Sequence, residues 1–192
     1  MNKPNGYDNV KTERERVALG PHKAVIKNVE ETQSKTGLPM IVVSIDFAPD
    51  DEQAGFFAKA YKADEREDKK WPFQANQYIV TETHDGNTMR SFKSFCTAFE
   101  DSNDTEIVWG SGFAAQFKGK KIGVTYGEVE EEYNGERKMR TRIRWFFGIK
   151  KFDEQVIPAP QYLPDAVKVD TSSSAFDDFM KIPDDVDQLP FH

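Results

Sequence analysis

The sequence predicts an all-β, mainly antiparallel fold, and three features carry this prediction. Residues 38–47, LPMIVVSIDF, form a run rich in β-branched side chains that is typical of a strand. Asn134-Gly135 separates two extended runs, a strong hairpin signal because both turn residues must take positive φ. Turn-forming residues break up most of residues 17–150, and helical periodicity appears over one short stretch.

The first two strands are predicted as a hairpin. Residues 17–29 carry Val25, Ile26 and Val29 among polar residues, and residues 33–37, QSKTG, form a turn into residues 38–47. Residues 56–62, FFAKAYK, predict a third strand. Residues 71–81 are ambiguous between strand and loop.

A short amphipathic helix is predicted over residues 89–99. Its apolar side chains recur at the three-and-four spacing of one helix face. They are Met89, Phe92, Phe95, Cys96 and Phe99. Cys96, the single cysteine of the chain, is therefore interpreted as a packing residue, and no intramolecular disulfide can form.

The hairpin around Asn134-Gly135 is the most informative segment. A two-residue loop places Tyr133 opposite Glu136 and fixes every other cross-strand pair. One face then becomes wholly apolar, with Ile122, Val124 and Tyr126 opposite Phe147, Trp145 and Ile143. A slip of one residue would mix the apolar and polar sets, so the pattern favours this register.

The outward face of the same hairpin predicts a site for a nucleic-acid strand. Its cations and its exposed ring are Arg140, Arg142, Arg144 and Phe146. They face partners with little or no side chain, Gly123 and Gly127 among them, which would leave a shallow, open surface. Because cations hold phosphates and aromatic rings stack on bases, we expect Phe146 to stack on a base. Trp145 falls on the opposite, apolar face in this register, so we expect Trp145 to be buried. The alternative is that the arginines form only the solvated side of a strand.

Other basic and aromatic residues extend the candidate interface. Near the hairpin they are Lys118, Lys120, Lys121 and Lys138. A second cluster of basic and aromatic residues could provide a further surface on which bases stack. Its members are Phe56, Lys59, Tyr61, Lys62, Lys70 and Trp71.

Charge and composition divide the chain near residue 151. Nine acids and two lysines fall in residues 153–192, which equals the net charge of the whole chain, −7, so residues 1–152 are neutral. We predict a flexible arm over residues 1–16, a folded domain over residues 17–151 and a disordered acidic tail over residues 152–192. No signal peptide or membrane span is apparent, so a soluble cytoplasmic protein is expected.

Signals for catalysis are weak. The three histidines are far apart in the chain and do not have metal-ligand spacing. Asp50, Asp51 and Glu52 could hold Mg²⁺ for phosphodiester cleavage, but acids are common in turns for conformational reasons. No phosphate-binding or dinucleotide motif is present. The sequence predicts a protein that is not an enzyme and needs no cofactor.

Two parts of the domain resemble phage single-stranded-DNA-binding proteins from replication and recombination modules of phages of Gram-positive bacteria. The first part is residues 20–26, GPHKAVI, with residues 36–41, TGLPMI; the second is residues 117–124, FKGKKIGV, through Asn134-Gly135 to residues 143–146, IRWF. The resemblance covers most of residues 17–150. It implies a five-stranded OB barrel with one helix between its third and fourth strands, where residues 89–99 fall.

The tail is similar to the acidic tip of bacterial single-stranded-DNA-binding proteins, which docks on replication and repair enzymes. The matching residues are Asp184, Asp185, Asp187, Pro190 and Phe191, and Leu189 precedes the Pro-Phe pair. Here His192 follows the phenylalanine, whereas in the family the phenylalanine carries the terminal carboxylate.

Together the resemblances imply a protein that covers single-stranded DNA with little sequence preference and recruits partners by its tail. The partners are host or phage replication and recombination proteins, in the cytoplasm of the bacterial host, and such proteins often dimerise. Two alternatives stay open. One is an adaptor whose body binds a protein or RNA, and the other is a metal-dependent nuclease of the same module.

Overall fold

A computed structural model describes residues 3–4, 7 and 15–164 of the 192-residue chain. Five strands form its central sheet: β1 (Gly20–Gln33), β2 (Pro39–Phe47), β3 (Asn76–Val80), β4 (Lys121–Tyr133) and β5 (Glu136–Phe147). Two α-helices accompany them, α1 (Phe56–Ala63) and α2 (Arg90–Asn103). Short 3₁₀ turns span Phe73–Ala75, Phe113–Phe117 and Ile149–Glu154. The predicted all-β, mainly antiparallel class is confirmed.

The sheet is antiparallel throughout and its strand order is β3-β2-β1-β4-β5. Within the described residues β3 pairs only with β2, and β5 pairs only with β4. The sheet is therefore not closed into a barrel by strand pairing. The first hairpin and the helix between the third and fourth strands lie where the sequence predicts them.

The predicted third strand over residues 56–62 is wrong, because this segment forms α1. Alanine at three of the eight α1 positions favours a helix. The helix start also gains a tertiary acceptor: the backbone N–H of Phe57 donates to the buried Asp46 carboxylate at 3.0 Å. The third strand lies instead at Asn76–Val80, inside the segment that the sequence left ambiguous.

The core lies between the sheet and α2 and is rich in phenylalanine. Phe95 and Phe99 of α2 pack on Phe117 with ring centroids 5.3 and 4.6 Å apart. Cys96 is buried beside them, as predicted, and burial raises the pKa of its thiol to about 11. The thiol is thus protonated at neutral pH and acts as a packing group.

The compact unit extends beyond the predicted boundary at residue 151, to Tyr162. Residues 155–161, here called the C-terminal segment, lie beside the part of β4 that β1 leaves unpaired, where Gln161 forms a bridge with Val129. The Gln161 N–H donates to the Glu128 carbonyl at 3.0 Å, and the Glu130 N–H donates to the Gln161 carbonyl at 2.8 Å. Residues 152–162, which the sequence assigns to the tail, therefore belong to the folded body.

Candidate nucleic-acid interface

The turn of the β4–β5 hairpin is the one predicted from Asn134-Gly135. Both residues take positive φ, 53° and 77°, as a two-residue hairpin loop requires. Pairing follows the predicted register from Tyr133 opposite Glu136 to Tyr126 opposite Ile143. The prediction is confirmed over this part of the hairpin.

Beyond Ile143 the register changes, because Arg144 is an extra residue in β5 and forms a bulge. Thr125 now faces Trp145, and Val124 faces Phe146. A shift of one residue exchanges the two faces of a strand. The predicted roles of the two aromatics are therefore reversed.

Phe146 is only 8% exposed and packs edge-on against Phe95 at 5.3 Å. The prediction that Phe146 stacks on bases is wrong, since its ring belongs to the core. Trp145, predicted to be buried, is 38% exposed, and its indole N–H donates to Gln155 at 3.1 Å. Trp145 is the aromatic residue that β5 presents to solvent at this point.

The open surface that the sequence predicts over Gly123 and Gly127 is also absent, because other side chains fill it. A β-carbon at Gly123 would lie 2.3 Å from the Phe147 ring. One at Gly127 would lie 2.5 Å from Pro158 and 2.9 Å from the Arg144 stem. The C-terminal segment covers this part of the face, and Arg144 donates to the Ala159 carbonyl at 3.2 Å.

The three arginines consequently have different environments. Arg144 is held by backbone carbonyls, including that of Glu128 at 3.4 Å. Arg142 forms two hydrogen bonds of 2.6 Å with Glu131, and its guanidinium lies 4.8 Å from the centre of the Phe73 ring. Arg140 is exposed and has no ion pair with any residue that the structure describes. Arg140 is thus the arginine of this row most available to an anionic ligand.

The lysines near the hairpin do not form one patch. Lys138 is at the hairpin tip and pairs with Glu136. Lys118, Lys120 and Lys121 are exposed at the other end of β4, a 13-residue strand that is roughly 40 Å long at ~3.3 Å per residue. Lys138 and these three lysines therefore lie at opposite ends of the strand.

The second predicted cluster lies on α1 and the loop that follows it. Tyr61 and Trp71 are 5.6 Å apart, and the Lys69 ammonium lies 5.0 Å from the centre of the Tyr61 ring. The Trp71 indole N–H donates to the Ile45 carbonyl at 3.0 Å, so Trp71 anchors the loop to β2. Phe56 packs against the core, while Lys59, Lys62 and Lys70 are exposed.

An open seam between β3 and β5 is the feature that the sequence did not predict. Here the seam means β3 with the preceding Phe73–Ala75 turn on one side, and β5 on the other. The Gln74 side chain crosses it to the Thr141 carbonyl at 3.4 Å. Tyr126 donates its hydroxyl to the Gln74 carbonyl at 2.8 Å, and burial raises the pKa of Tyr126 well above its ordinary value, which keeps this donor protonated.

Exposed aromatic rings lie along the seam. Phe73 is 57% exposed and Tyr78 is 48% exposed, with ring centroids 6.1 Å apart, and Trp145 lies on the opposite side. Three consecutive residues that favour strands, Tyr78, Ile79 and Val80, could have indicated a strand here, but they do not indicate which face Tyr78 lies on. No sequence signal places Phe73 beside Arg142.

Two cavities open along the seam. The larger, about 860 Å³, lies between Phe73 and the hairpin tip, and we call it the trough. Its three cations are Lys138, Arg140 and Arg142, and its three acids are Glu131, Glu132 and Glu136. The smaller, about 290 Å³, lies between β3, α2 and β5, and we call it the seam groove. It is lined by Arg90 and Arg144, and none of its described lining residues is acidic.

Two of the three acids considered for Mg²⁺, Asp50 and Asp51, have other partners. Asp51 accepts a hydrogen bond from His22 at 3.1 Å, and Asp50 pairs with Lys23 at 3.2 Å. Across the described part of the chain no group of three or more His, Cys, Asp or Glu residues is arranged to hold a metal ion.

No protein-family model matches the chain, and no curated protein matches it.

Among the residues described, none of the helices has the length and apolar character needed to cross a membrane. The predicted partner-binding residues, Asp184, Asp185, Asp187, Leu189, Pro190 and Phe191, lie outside the described residues.

Proposed function

We propose that this protein binds single-stranded DNA along the seam between β3 and β5, as a binding protein without catalytic activity. The observation that carries the proposal is that three exposed rings border this seam, Phe73 and Tyr78 on its β3 side and Trp145 on its β5 side. Bases of a single strand stack on aromatic side chains regardless of sequence. Arg140 and Arg142 lie beside the same seam, where cations can hold the backbone.

The interface proposed here differs from the one that the sequence predicts. It keeps Arg140, Arg142 and Lys138, replaces Phe146 with Trp145, and adds Phe73 and Tyr78. The acids of the trough are matched by cations, as in the pairs of Glu131 with Arg142 and of Glu136 with Lys138. Stacking therefore supplies most of the affinity, and binding weakens only moderately with salt.

We further propose that the sheet is an OB fold that is open between β3 and β5. The five antiparallel strands and the helix between β3 and β4 support this assignment, and OB barrels are often partly open. An OB fold binds single strands in many proteins, although fold alone does not establish function. The role in phage replication and recombination, and recruitment of partner proteins by the acidic tail, are parts of the same proposal.

The test is binding of a fluorescent mixed-sequence oligonucleotide, single-stranded or as a duplex, by the full chain. We expect clear preference for the single strand. Phe73→Ala is expected to weaken single-strand binding about tenfold, because one stacking platform is lost. A single-stranded RNA of the same sequence, used as competitor, separates DNA binding from RNA binding.

The matched control is Lys118→Ala with Lys120→Ala, which removes two exposed cations at the far end of β4. This variant is expected to bind like the wild type. Equal affinity of the wild type for single strands and duplexes, or an unchanged affinity in Phe73→Ala, would contradict the proposal.

A further inference from the structure

The seam groove has the size of a small ligand pocket. Its volume is about 290 Å³, whereas pockets for drug-sized ligands have volumes of about 300–1,000 Å³. Three elements enclose it: Gln77 and Ile79 come from β3, Ser94 and Phe95 from α2, and Trp145 and Phe146 from β5. A ligand that fits here is small, on the scale of a single ring system.

The seam groove combines an apolar floor with a few polar groups. Ile79, Phe95 and Phe146 are all buried and give it an apolar floor. The polar groups are the Gln77 amide and the hydroxyls of Ser91 and Ser94. An apolar floor with a few hydrogen-bonding groups suits a flat molecule with apolar faces and a polar edge, which describes a nucleobase.

Charge favours an anion beside that ring. Arg90 is exposed, lines the groove and has no ion pair with the described residues. It is the first residue of α2, whose N-cap Met89 provides no side-chain cap, so the partial positive charge of the helix start adds to that of the guanidinium. The trough, by contrast, contains three acids. The seam groove is thus the better place for a phosphate.

We propose that the seam groove takes one unstacked base of a bound DNA strand and that Arg90 holds the adjacent phosphate. This inference rests on the proposed function, because the strand must first lie along the seam. It adds a consequence: since Gln77 and the serine hydroxyls contact the edge of that base, binding depends on base identity. The protein then prefers some bases at one position of its site.

The test uses single-stranded homo-oligomers dT, dC and dA of equal length, with dissociation constants measured by fluorescence anisotropy. For the wild type we expect these constants to differ by about tenfold across the three bases, the contribution of one or two hydrogen bonds. Ser94→Phe fills the groove from an exposed α2 position, so it is expected to weaken binding of the preferred oligomer about tenfold and to remove the preference.

Thr97→Phe is the matched control, because residue 97 is exposed on the same helix but does not line the groove. It is expected to keep both the affinities and the preference of the wild type. Gln77→Leu provides a second variant of similar size, and it is expected to reduce the preference without blocking the groove. Thermal melts of each variant identify any loss of folding.

Three results would overturn the pocket. They are equal wild-type affinity for the three oligomers, a base preference that persists unchanged in Ser94→Phe and in Gln77→Leu, and an equal loss of affinity in Thr97→Phe. In each of these cases wild-type binding to single strands would still support the proposed function. If the wild type bound none of the oligomers, the proposed function would fail together with the pocket.

Discussion

The two ends of the β4–β5 hairpin differ in burial and in how well the sequence predicts their strand pairing. At the tip, residues 128–133 and 136–141 are partly or fully exposed and keep the predicted register. At the base, residues 122–127 are buried on both faces and the register shifts at Arg144. The two-residue turn fixes the register next to it, so the prediction holds at the tip. At the base both faces of β4 are buried, so alternation does not identify the register there.

The largest expected effect is on the free energy of unfolding, and it differs between the two ends because only the base is packed into the core. Phe146→Ala at the base is expected to lower the free energy of unfolding by about 3–5 kcal/mol, because it removes a core ring that contacts Phe95. Tyr133→Ala at the tip, where the ring is 77% exposed, is expected to change it by less than about 0.5 kcal/mol. Urea denaturation measures both. A small loss of stability in Phe146→Ala, with a large loss of DNA affinity, would restore the outward face that the sequence predicts.

A second prediction concerns close approach at the base. Gly123→Ala is expected to cost about 1–3 kcal/mol of folding stability, because the new methyl group would overlap the Phe147 ring. At the tip, a methyl group at position 135 would have open space around it. Gly135→Ala is therefore expected to lower the free energy of unfolding by about 1–2 kcal/mol, only because residue 135 has a left-handed backbone conformation.

The double variant Gly123→Ala with Phe147→Leu identifies the cause of the first cost. If the ring is responsible, the two substitutions together cost less than the sum of their separate effects. Additive costs would assign the effect of Gly123→Ala to the backbone instead.

The smallest expected effect is a pH dependence at the base, where His22 of β1 pairs with Val124. Burial alone would raise the pKa of Asp51, but hydrogen bonds from His22 and from the N–H groups of Gln53 and Lys23 outweigh it and lower the pKa. A carboxyl group with a lowered folded-state pKa contributes stability above its unfolded value, about 3.9, and loses that contribution as pH falls through the folded value. We therefore expect the unfolding free energy of the wild type to fall below about pH 4.

Asp51→Asn is expected to flatten this acidic part of the stability curve. Asp64→Asn is the control: Arg66 lowers the pKa of Asp64 to about 2, but Arg66 is in solvent and salt screens the pair. In 0.15 M salt its stability curve is expected to follow that of the wild type closely. Equal flattening in the two variants would show that burial of Asp51 has no special effect.

Only the basic part of the candidate site, Arg140, Arg142 and Lys138, could be predicted from the sequence, and the reasons for the rest are specific. Asn134-Gly135 determined the turn and the row of Arg140 and Arg142, because a two-residue loop fixes the register next to it. The bulge at Arg144 had no local signal, and it exchanged the roles of Trp145 and Phe146. Phe73 reaches Arg142 only because the turn before β3 packs against β5, about 70 positions later in the chain.

The sequence by itself determined the antiparallel class, the two hairpins and the amphipathic helix over residues 89–99, because these follow from turn chemistry and from side-chain periodicity within a few residues. Tertiary structure decided that residues 56–62 form a helix, that the C-terminal segment covers Gly127, and which aromatic rings face the seam. Those outcomes depend on contacts between distant segments, such as the Asp46 carboxylate at the start of α1 and Pro158 over β4. Local patterns carry no information about such contacts, since their free energy exists only once the sheet has formed.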